Sequence, residues 1–190
     1  MALTSTRLTA EQYFALPPAA MREAGLRTQL INGEIVVTEV DLRHQRIAGE
    51  VCFLLSDWLA ANPGHGEAGI PVDVHLDDFN VYGPDVWWVP EDARPARDAL
   101  RIVGPPALAV EVRAPSTWRY DLGVKKRIYE ELGLAELWLV DTASDTVLIY
   151  RRSSSTAAEF DVELELAAGE QLTTPLLDGF SLDLAGLFDR

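Results

Sequence analysis

Apolar residues in this chain recur at two periods, which predict its helices and strands. Between positions 43 and 61 they recur every three or four residues, at Ile47, Val51, Leu54, Leu55 and Trp58. This spacing places them on one face of a long amphipathic helix. A second helix is predicted over residues 121–132, because Gly133 follows in the usual closing position. The capping-box pair Thr9 and Gln12 predicts a short helix within residues 8–16.

Strand signals lie before, between and after these helices. Residues 27–31 and 34–40 are β-rich and are joined by Asn32-Gly33, which predicts a hairpin because both turn residues tolerate positive φ. Strict alternation of apolar residues predicts a strand over residues 70–76. Other apolar runs predict strands at 86–89, 108–112, 137–140, 147–150 and 160–166. With a terminal helix near 184–188, the order predicts an α/β or α+β fold, a mixed β-sheet flanked by helices.

Length and composition indicate one domain over residues 1–190, with a core at about 27–152 and an acidic extension at 153–190. Cys52 is the only cysteine, which excludes a disulfide framework and a cysteine zinc cluster. The N-terminus lacks the apolar segment of a signal peptide, and no apolar run reaches the roughly 18 residues of a membrane span. We therefore expect a cytoplasmic protein without a membrane segment.

The charge distribution limits the partners of the chain. Thirty acidic and sixteen basic residues give a net charge of −14, which argues against a protein that coats nucleic acid or an anionic membrane. Half of this imbalance lies in residues 153–190, which hold eight acids and one base. Residues 113–127, by contrast, hold five bases and one acid. Any binding of nucleic acid is therefore expected to be weak, confined to this basic segment and dependent on salt.

Two carboxylates stand where the apolar pattern does not favour them. Glu111 lies inside the apolar run 108–112, where a carboxylate is costly unless it is paired or bound to a cation. The alternatives are a half-exposed strand face or an arginine partner. Asp85 precedes the strand 86–89, where it either caps a turn or meets Glu111. If the two strands are antiparallel neighbours, the carboxylates converge and suit a hard cation such as Mg²⁺ or Mn²⁺.

Three further residues are candidates for the same site. Lys125 falls on the apolar stripe of the helix 121–132, so it is expected to point toward the sheet and to orient or deprotonate a water; the alternative is a snorkelling lysine. His44 lies on the inward face of the long helix near its start. Glu34 opens the second strand of the hairpin. Each of these two is a candidate further ligand, with a structural role as the alternative.

Pro84-Asp85 is followed, after a gap of 25 residues, by Glu111 and then by Lys125 on the next helix. This order resembles the active-site motif of the PD-(D/E)XK nuclease superfamily. More specifically, the chain resembles the Uma-two family of restriction-endonuclease-like proteins. The matching motifs span nearly the whole chain and include Leu8-Thr9-Ala10-Glu11-Gln12-Tyr13, Asn32-Gly33-Glu34-Ile35-Val36, Arg43-His44-Gln45-Arg46-Ile47, Gly83-Pro84-Asp85-Val86 and Val110-Glu111-Val112-Arg113-Ala114-Pro115.

This resemblance implies a restriction-endonuclease-like fold and a Mg²⁺- or Mn²⁺-dependent nuclease that hydrolyses phosphodiester bonds, by expectation in DNA. Asp85 and Glu111 then ligate the metal, Lys125 supports the attacking water, and Glu34 and His44 are additional or outer ligands. The metal polarises the phosphoryl group and lowers the pKa of bound water.

The chain departs from the superfamily pattern at Arg113, which stands where a lysine is expected two residues after the glutamate. Lys125 on the next helix can reach the same space; the alternative is that Arg113 binds phosphate and the site is catalytically poor. Arg113, Arg119 and Lys126 are the expected substrate-binding residues, and cutting both strands of a duplex favours a homodimer. The competing hypothesis is a non-catalytic nucleic-acid-binding or protein-interaction domain on the same fold.

Overall fold

The computed structural model describes residues 7–17 and 27–189. Its helices are α1 (Ala10–Phe14), α2 (Leu42–Ala61), α3 (Trp118–Tyr120), α4 (Lys126–Glu131) and α5 (Leu184–Phe188), with a 3-10 turn at Glu91–Ala93 and a π-helical turn at Asp121–Lys125. Its strands are β1 (Arg27–Ile31), β2 (Glu34–Thr38), β3 (Glu67–Gly69), β4 (Val74–Asp77), β5 (Asn80–Tyr82), β6 (Val86–Val89), β7 (Ile102–Val103), β8 (Leu108–Val112), β9 (Glu136–Asp141), β10 (Thr146–Arg151), β11 (Val162–Ala167), β12 (Gln171–Thr173) and β13 (Ser181–Asp183). Across these described residues, no helix is both long and apolar enough to cross a membrane.

The strands form two main sheets and one small hairpin. The larger sheet has the order β11-β10-β9-β8-β6-β3, and only its β8–β9 pair is parallel. The second sheet has the order β2-β1-β5-β4-β7, in which β4 and β7 are parallel. Strands β12 and β13 pair separately. The predicted fold class, mixed β-structure flanked by helices, is confirmed, although the strands divide between sheets instead of forming one.

The local signals at the N-terminal end produce the elements that they predict. Asn32 and Gly33 adopt φ angles of 51° and 78°, so the β1–β2 hairpin turns where the sequence places it. The second strand ends at Thr38, two residues before the predicted end. The Thr9 and Gln12 side chains close the capping box at the start of α1, whose bounds are narrower than predicted.

The strand predicted over residues 70–76 is wrong as a single element. Strand β3 pairs with β6 in the larger sheet, whereas β4 pairs with β5 in the second sheet. Residues 70–73 carry the chain from one sheet to the other and form no strand. Pro71 lies in this crossing and has no N–H to offer a ladder, so apolar alternation alone misleads here.

The helix predicted over residues 121–132 begins three residues earlier, at Trp118, and contains a π-helical turn. A π turn holds one more residue than an α turn and is frequent at functional sites. Here it spans Asp121–Lys125 and places both terminal side chains in the interior. The long helix α2 starts at Leu42, because the Asp41 carboxylate accepts the His44 backbone N–H at 2.8 Å and caps it.

The segment after residue 153 packs into the main core. Leucine and phenylalanine side chains of this segment are buried with α2 and the larger sheet, at Leu172, Leu177, Phe180, Leu182, Leu184, Leu187 and Phe188. The buried Glu136 carboxylate, in strand β9, connects the larger sheet with this segment. It accepts hydrogen bonds from Trp138 Nε1 at 2.6 Å, Thr174 Oγ1 at 2.8 Å and Arg151 Nη2 at 3.2 Å.

Candidate active site

Strand pairing brings Asp85 and Glu111 to one place. Strands β6 and β8 are antiparallel neighbours with Val86 opposite Val110, so the start of β6 lies beside the end of β8. Asp85 is fixed there at two points: its backbone N–H donates to Val110 O, and its Oδ2 accepts the Val112 N–H, both at 2.9 Å. Asp85 and Glu111 are 7% and 3% exposed and line the same cavity.

Lys125 reaches Glu111 from the helical layer. Its Nζ lies 2.7 Å from Glu111 Oε1 and 2.8 Å from Asp121 Oδ1, and the residue is 1% exposed. Tyr129 donates its hydroxyl to the same Glu111 oxygen at 3.0 Å. Asp121, Lys125 and Tyr129 follow one another at intervals of four residues and therefore share a helix face. We did not predict Asp121 as a site residue. This four-residue spacing is the sequence signal that could have identified it.

Asp85 is held by two basic side chains. Arg27 Nη2 lies 2.9 Å from Oδ1, and His44 Nε2 lies 3.0 Å from Oδ2. His44 is 2% exposed, and its Nδ1 has no hydrogen-bond partner among residues 7–17 and 27–189. A buried polar atom without a partner costs about 1–3 kcal/mol, and a water or ligand commonly satisfies it. The inward orientation of His44 that the helix stripe predicts is observed.

The charges of the site are strongly perturbed. Burial raises the pKa of Glu111 to about 8, although Lys125 acts in the opposite direction. Burial also raises the pKa of Asp121. For Lys125, burial lowers the pKa, but the attraction of Asp121 and Glu111 outweighs it and the net pKa is raised. Lys125 therefore stays an ammonium at neutral pH, beside two carboxyl groups whose protonated forms burial favours.

These groups line a cavity of about 600 Å³, a size that suits one drug-sized ligand. The titratable lining residues include Arg27, His44, Asp85, Glu111, Asp121 and Lys125. The wall is formed by apolar, aromatic and arginine side chains, among them Tyr13, Phe14, Leu16, Val72, Leu100 and Arg101. The cavity thus combines a charged reactive region with a wall suited to a partly apolar ligand.

The donor chemistry of this cavity fits Mg²⁺ or Mn²⁺. In the described part of the chain, no group of three or more His, Cys, Asp or Glu side chains is placed to hold a metal ion. Mg²⁺, however, is usually bound through one or two carboxylates together with waters and substrate phosphates. Asp85 and Glu111 offer such oxygens. Asp121, the other carboxylate beside Lys125, adds negative charge when it is ionised. An entering cation must displace the protein cations that now hold these oxygens.

Four residues expected at the site are not brought to the cavity. Glu34 is exposed at the start of β2. It lies four residues, about 13 Å of strand, from Thr38, which does line the cavity. The other three are the expected substrate-binding residues Arg113, Arg119 and Lys126, none of which lines it.

These three basic residues have partners outside the cavity. Arg113 Nη1 donates to both Asp141 oxygens, at 2.9 and 3.0 Å. Arg119 is exposed against its neighbour Tyr120, and Lys126 Nζ lies 3.9 Å from the centre of the Tyr150 ring. Successive helix positions point about 100° apart, so Lys126 cannot follow Lys125 inward.

The chain belongs to the Uma2 family, described as "Putative restriction endonuclease", whose model matches residues 10–185. This confirms the family that the motifs resemble. Among solved structures, the chain is similar to the crystal structure of a putative nuclease belonging to DUF820 from Anabaena variabilis. The two are 16% identical with a TM-score of 0.79, over 96% of this chain and 98% of the other. They therefore share a fold. No curated protein matches the chain.

Proposed function

We propose that this chain is a divalent-metal-dependent nuclease that hydrolyses phosphodiester bonds in DNA. The observation that carries the proposal is the convergence of Asp85, Glu111 and Lys125, all almost fully buried, on one cavity. Burying three charged groups together is costly for stability, and clusters of this kind are typical of functional sites. Membership of a family of restriction-endonuclease-like proteins supports the same reaction class.

In this proposal Asp85 and Glu111 supply the oxygens that hold Mg²⁺ or Mn²⁺. A cation bound there would polarise the phosphoryl oxygens and lower the pKa of a bound water. The hydrogen bond from the Val112 N–H fixes the Asp85 carboxylate. The Tyr129 hydroxyl does the same for Glu111. Both carboxylates are thus oriented before any ligand arrives, which reduces the reorganisation that binding requires.

Lys125 acts in this scheme as a fixed positive charge. Its raised pKa makes it a poor proton acceptor at neutral pH, so of the two roles open to it the structure favours orienting the attacking water and stabilising developing negative charge. Asp121 positions the ammonium through the contact at 2.8 Å. His44 supports Asp85 and presents its unpaired Nδ1 as an outer hydrogen-bonding group.

The test is cleavage of supercoiled, linear and single-stranded DNA by the purified chain in Mg²⁺, Mn²⁺ or EDTA. We expect cleavage with either metal and none in EDTA. Glu111→Gln and Lys125→Ala should lower the rate at least a hundredfold. Glu165→Gln and Arg127→Ala alter exposed residues outside the cavity and serve as matched controls. Cleavage that survives both site substitutions would refute the assigned residues.

A second candidate function is a non-catalytic binding domain. It is favoured by the contacts within the site, because Arg27 and His44 already hold Asp85 and Lys125 already holds Glu111. A site neutralised from within the protein has less need of a metal. Tight binding of DNA without cleavage of any substrate, in either metal, would favour this candidate.

The oligomeric state follows from the substrate in this proposal. A cut through both strands of a duplex favours two active sites, which a symmetric homodimer supplies. A cut in one strand requires a single site.

A further inference from the structure

The depth of the reactive groups restricts what can reach them. Asp85, Glu111 and Lys125 are 7%, 3% and 1% exposed, in a cavity of about 600 Å³. Duplex DNA is stiff over about 150 base pairs, and a cavity of this volume admits a ligand of nucleotide size and no double helix.

The surface charges provide only weak, local binding of a duplex. A protein that holds duplex DNA through its backbone commonly neutralises about 6–10 phosphates. The net charge of this chain is −14. Several of its arginines are already paired with acids, at Arg43–Asp145, Arg94–Glu67, Arg94–Glu91, Arg113–Asp141 and Arg127–Glu131. Recognition must therefore come mainly from the cavity itself.

The cavity wall carries a stacked pair suited to a nucleobase. The Arg101 guanidinium lies 3.6 Å from the centre of the Phe14 ring, and both residues line the cavity. Arginine planes and aromatic rings are the surfaces on which unpaired bases stack. The pair also borders a second cavity lined by Glu11 and Asp78, whose charges disfavour a phosphate there. In the main cavity a divalent cation held by Asp85 and Glu111 would offset the acidic lining, so a strand that stacks on the pair would keep its backbone on that side.

We propose that the substrate is an unpaired DNA strand, of which the scissile phosphodiester enters the cavity while an adjacent base stacks on the Arg101–Phe14 pair. This proposal rests on the nuclease function above and names its substrate class. One site per chain suffices for it, so it does not require a homodimer.

The first test measures binding with the full-length Lys125→Ala variant, which keeps both metal-binding carboxylates and the stacking pair and is expected to cleave at least a hundredfold more slowly. A fluorescein-labelled 12-nucleotide strand and the blunt duplex of the same sequence are titrated in Mg²⁺ by fluorescence anisotropy. We expect the single strand to bind at least tenfold more tightly. Equal or tighter binding of the duplex, or no binding of either probe, would overturn the proposal.

The second test removes the stacking surfaces in the same background. Phe14→Leu keeps apolar volume but loses the ring, and Arg101→Ala removes the guanidinium. Each is expected to weaken single-strand binding about fivefold to 150-fold, the range for loss of one stacked base. The matched controls Phe53→Leu and Arg127→Ala alter exposed residues that do not line the cavity and should change binding less than twofold. Equal losses in the controls would contradict the assignment. Thermal melting verifies folding of each variant.

Cleavage by the wild-type chain separates the two proposals. Preference for the single strand in binding, with no cleavage of any substrate, leaves the binding inference standing and refutes the nuclease. Metal-dependent cleavage of duplex and single strand at equal rates leaves the nuclease standing and refutes the inferred substrate class.

Discussion

Replacing Glu111 with glutamine should stabilise the protein while abolishing its proposed activity. The Glu111 side chain is buried beside Lys125, and Asp121 already offers that ammonium a second carboxylate. The substitution keeps the volume and an oxygen that can accept the Tyr129 hydroxyl, but removes the carboxyl group that ionises in the unfolded chain. A residue whose removal raises stability and lowers activity is retained for function at a cost to the fold.

The magnitude follows from the pKa of Glu111, which burial raises from 4.5 to about 8. A carboxyl with a raised native pKa imposes no penalty below pH 4.5, where both states are protonated. Between pH 4.5 and 8 the Glu111 carboxyl ionises in the unfolded state but not in the native state. Each pH unit in this range therefore lowers the free energy of unfolding by about 1.4 kcal/mol. At pH 7 the buried carboxyl thus lowers the free energy of unfolding of the wild type by about 3 kcal/mol. In a chain of this size, removing that penalty in the variant raises Tm by about 6–12 °C.

The assay is urea unfolding of the wild type and the Glu111→Gln variant at several pH values from 4.5 to 8. The stability difference should be small at pH 4.5, grow in favour of the variant and level off near pH 8. The exposed Glu165→Gln control should stay within about 0.5 kcal/mol throughout. A variant less stable than the wild type at pH 7, or a difference that does not change with pH, would show that Glu111 does not destabilise the fold.

Three other substitutions test separate contacts. Asp121→Asn removes an anchor of Lys125, so the cleavage rate should fall at least tenfold while the Mn²⁺ dissociation constant, measured by calorimetry, changes less than the rate. Arg27→Met removes a cation that competes for Asp85, and calorimetry should show Mn²⁺ bound at least threefold more tightly; weaker binding would contradict competition. Glu136→Ala breaks a buried charge network and should cost about 3 kcal/mol in urea unfolding, whereas a loss below about 1 kcal/mol would show that the network is not needed.

The sequence predicts the centre of the candidate site because the relevant signals are local. A carboxylate within an apolar run, and a lysine on an apolar helix stripe, each mark a residue whose burial needs a reason. Pairing the strands that carry Asp85 and Glu111 then requires one assumption, that they are antiparallel neighbours, which the structure confirms. Lys125 is buried against the sheet because it lies on the helix face that carries Tyr129.

The parts that escape prediction depend on contacts between distant segments. Arg27 meets Asp85 across 58 positions, and Arg101 stacks on Phe14 from a loop that has no periodic pattern. The π-helical turn leaves no clear trace in the apolar spacing, although the four-residue intervals between Asp121, Lys125 and Tyr129 indicate a shared face. The alternation at 70–76 satisfies the rule for one strand, although Pro71 and the division into two sheets break it. Tertiary context decides each of these cases.

In the proposed site, Asp85 and Glu111 together hold one divalent cation. Crystals of the chain soaked in MnCl₂ would reveal this cation through anomalous difference density. We expect one peak at about 2.1 Å, the distance typical of such ligands, from an oxygen of each carboxylate, and no peak there in Glu111→Gln crystals. An empty site at saturating Mn²⁺, or a peak that touches neither carboxylate, would contradict it.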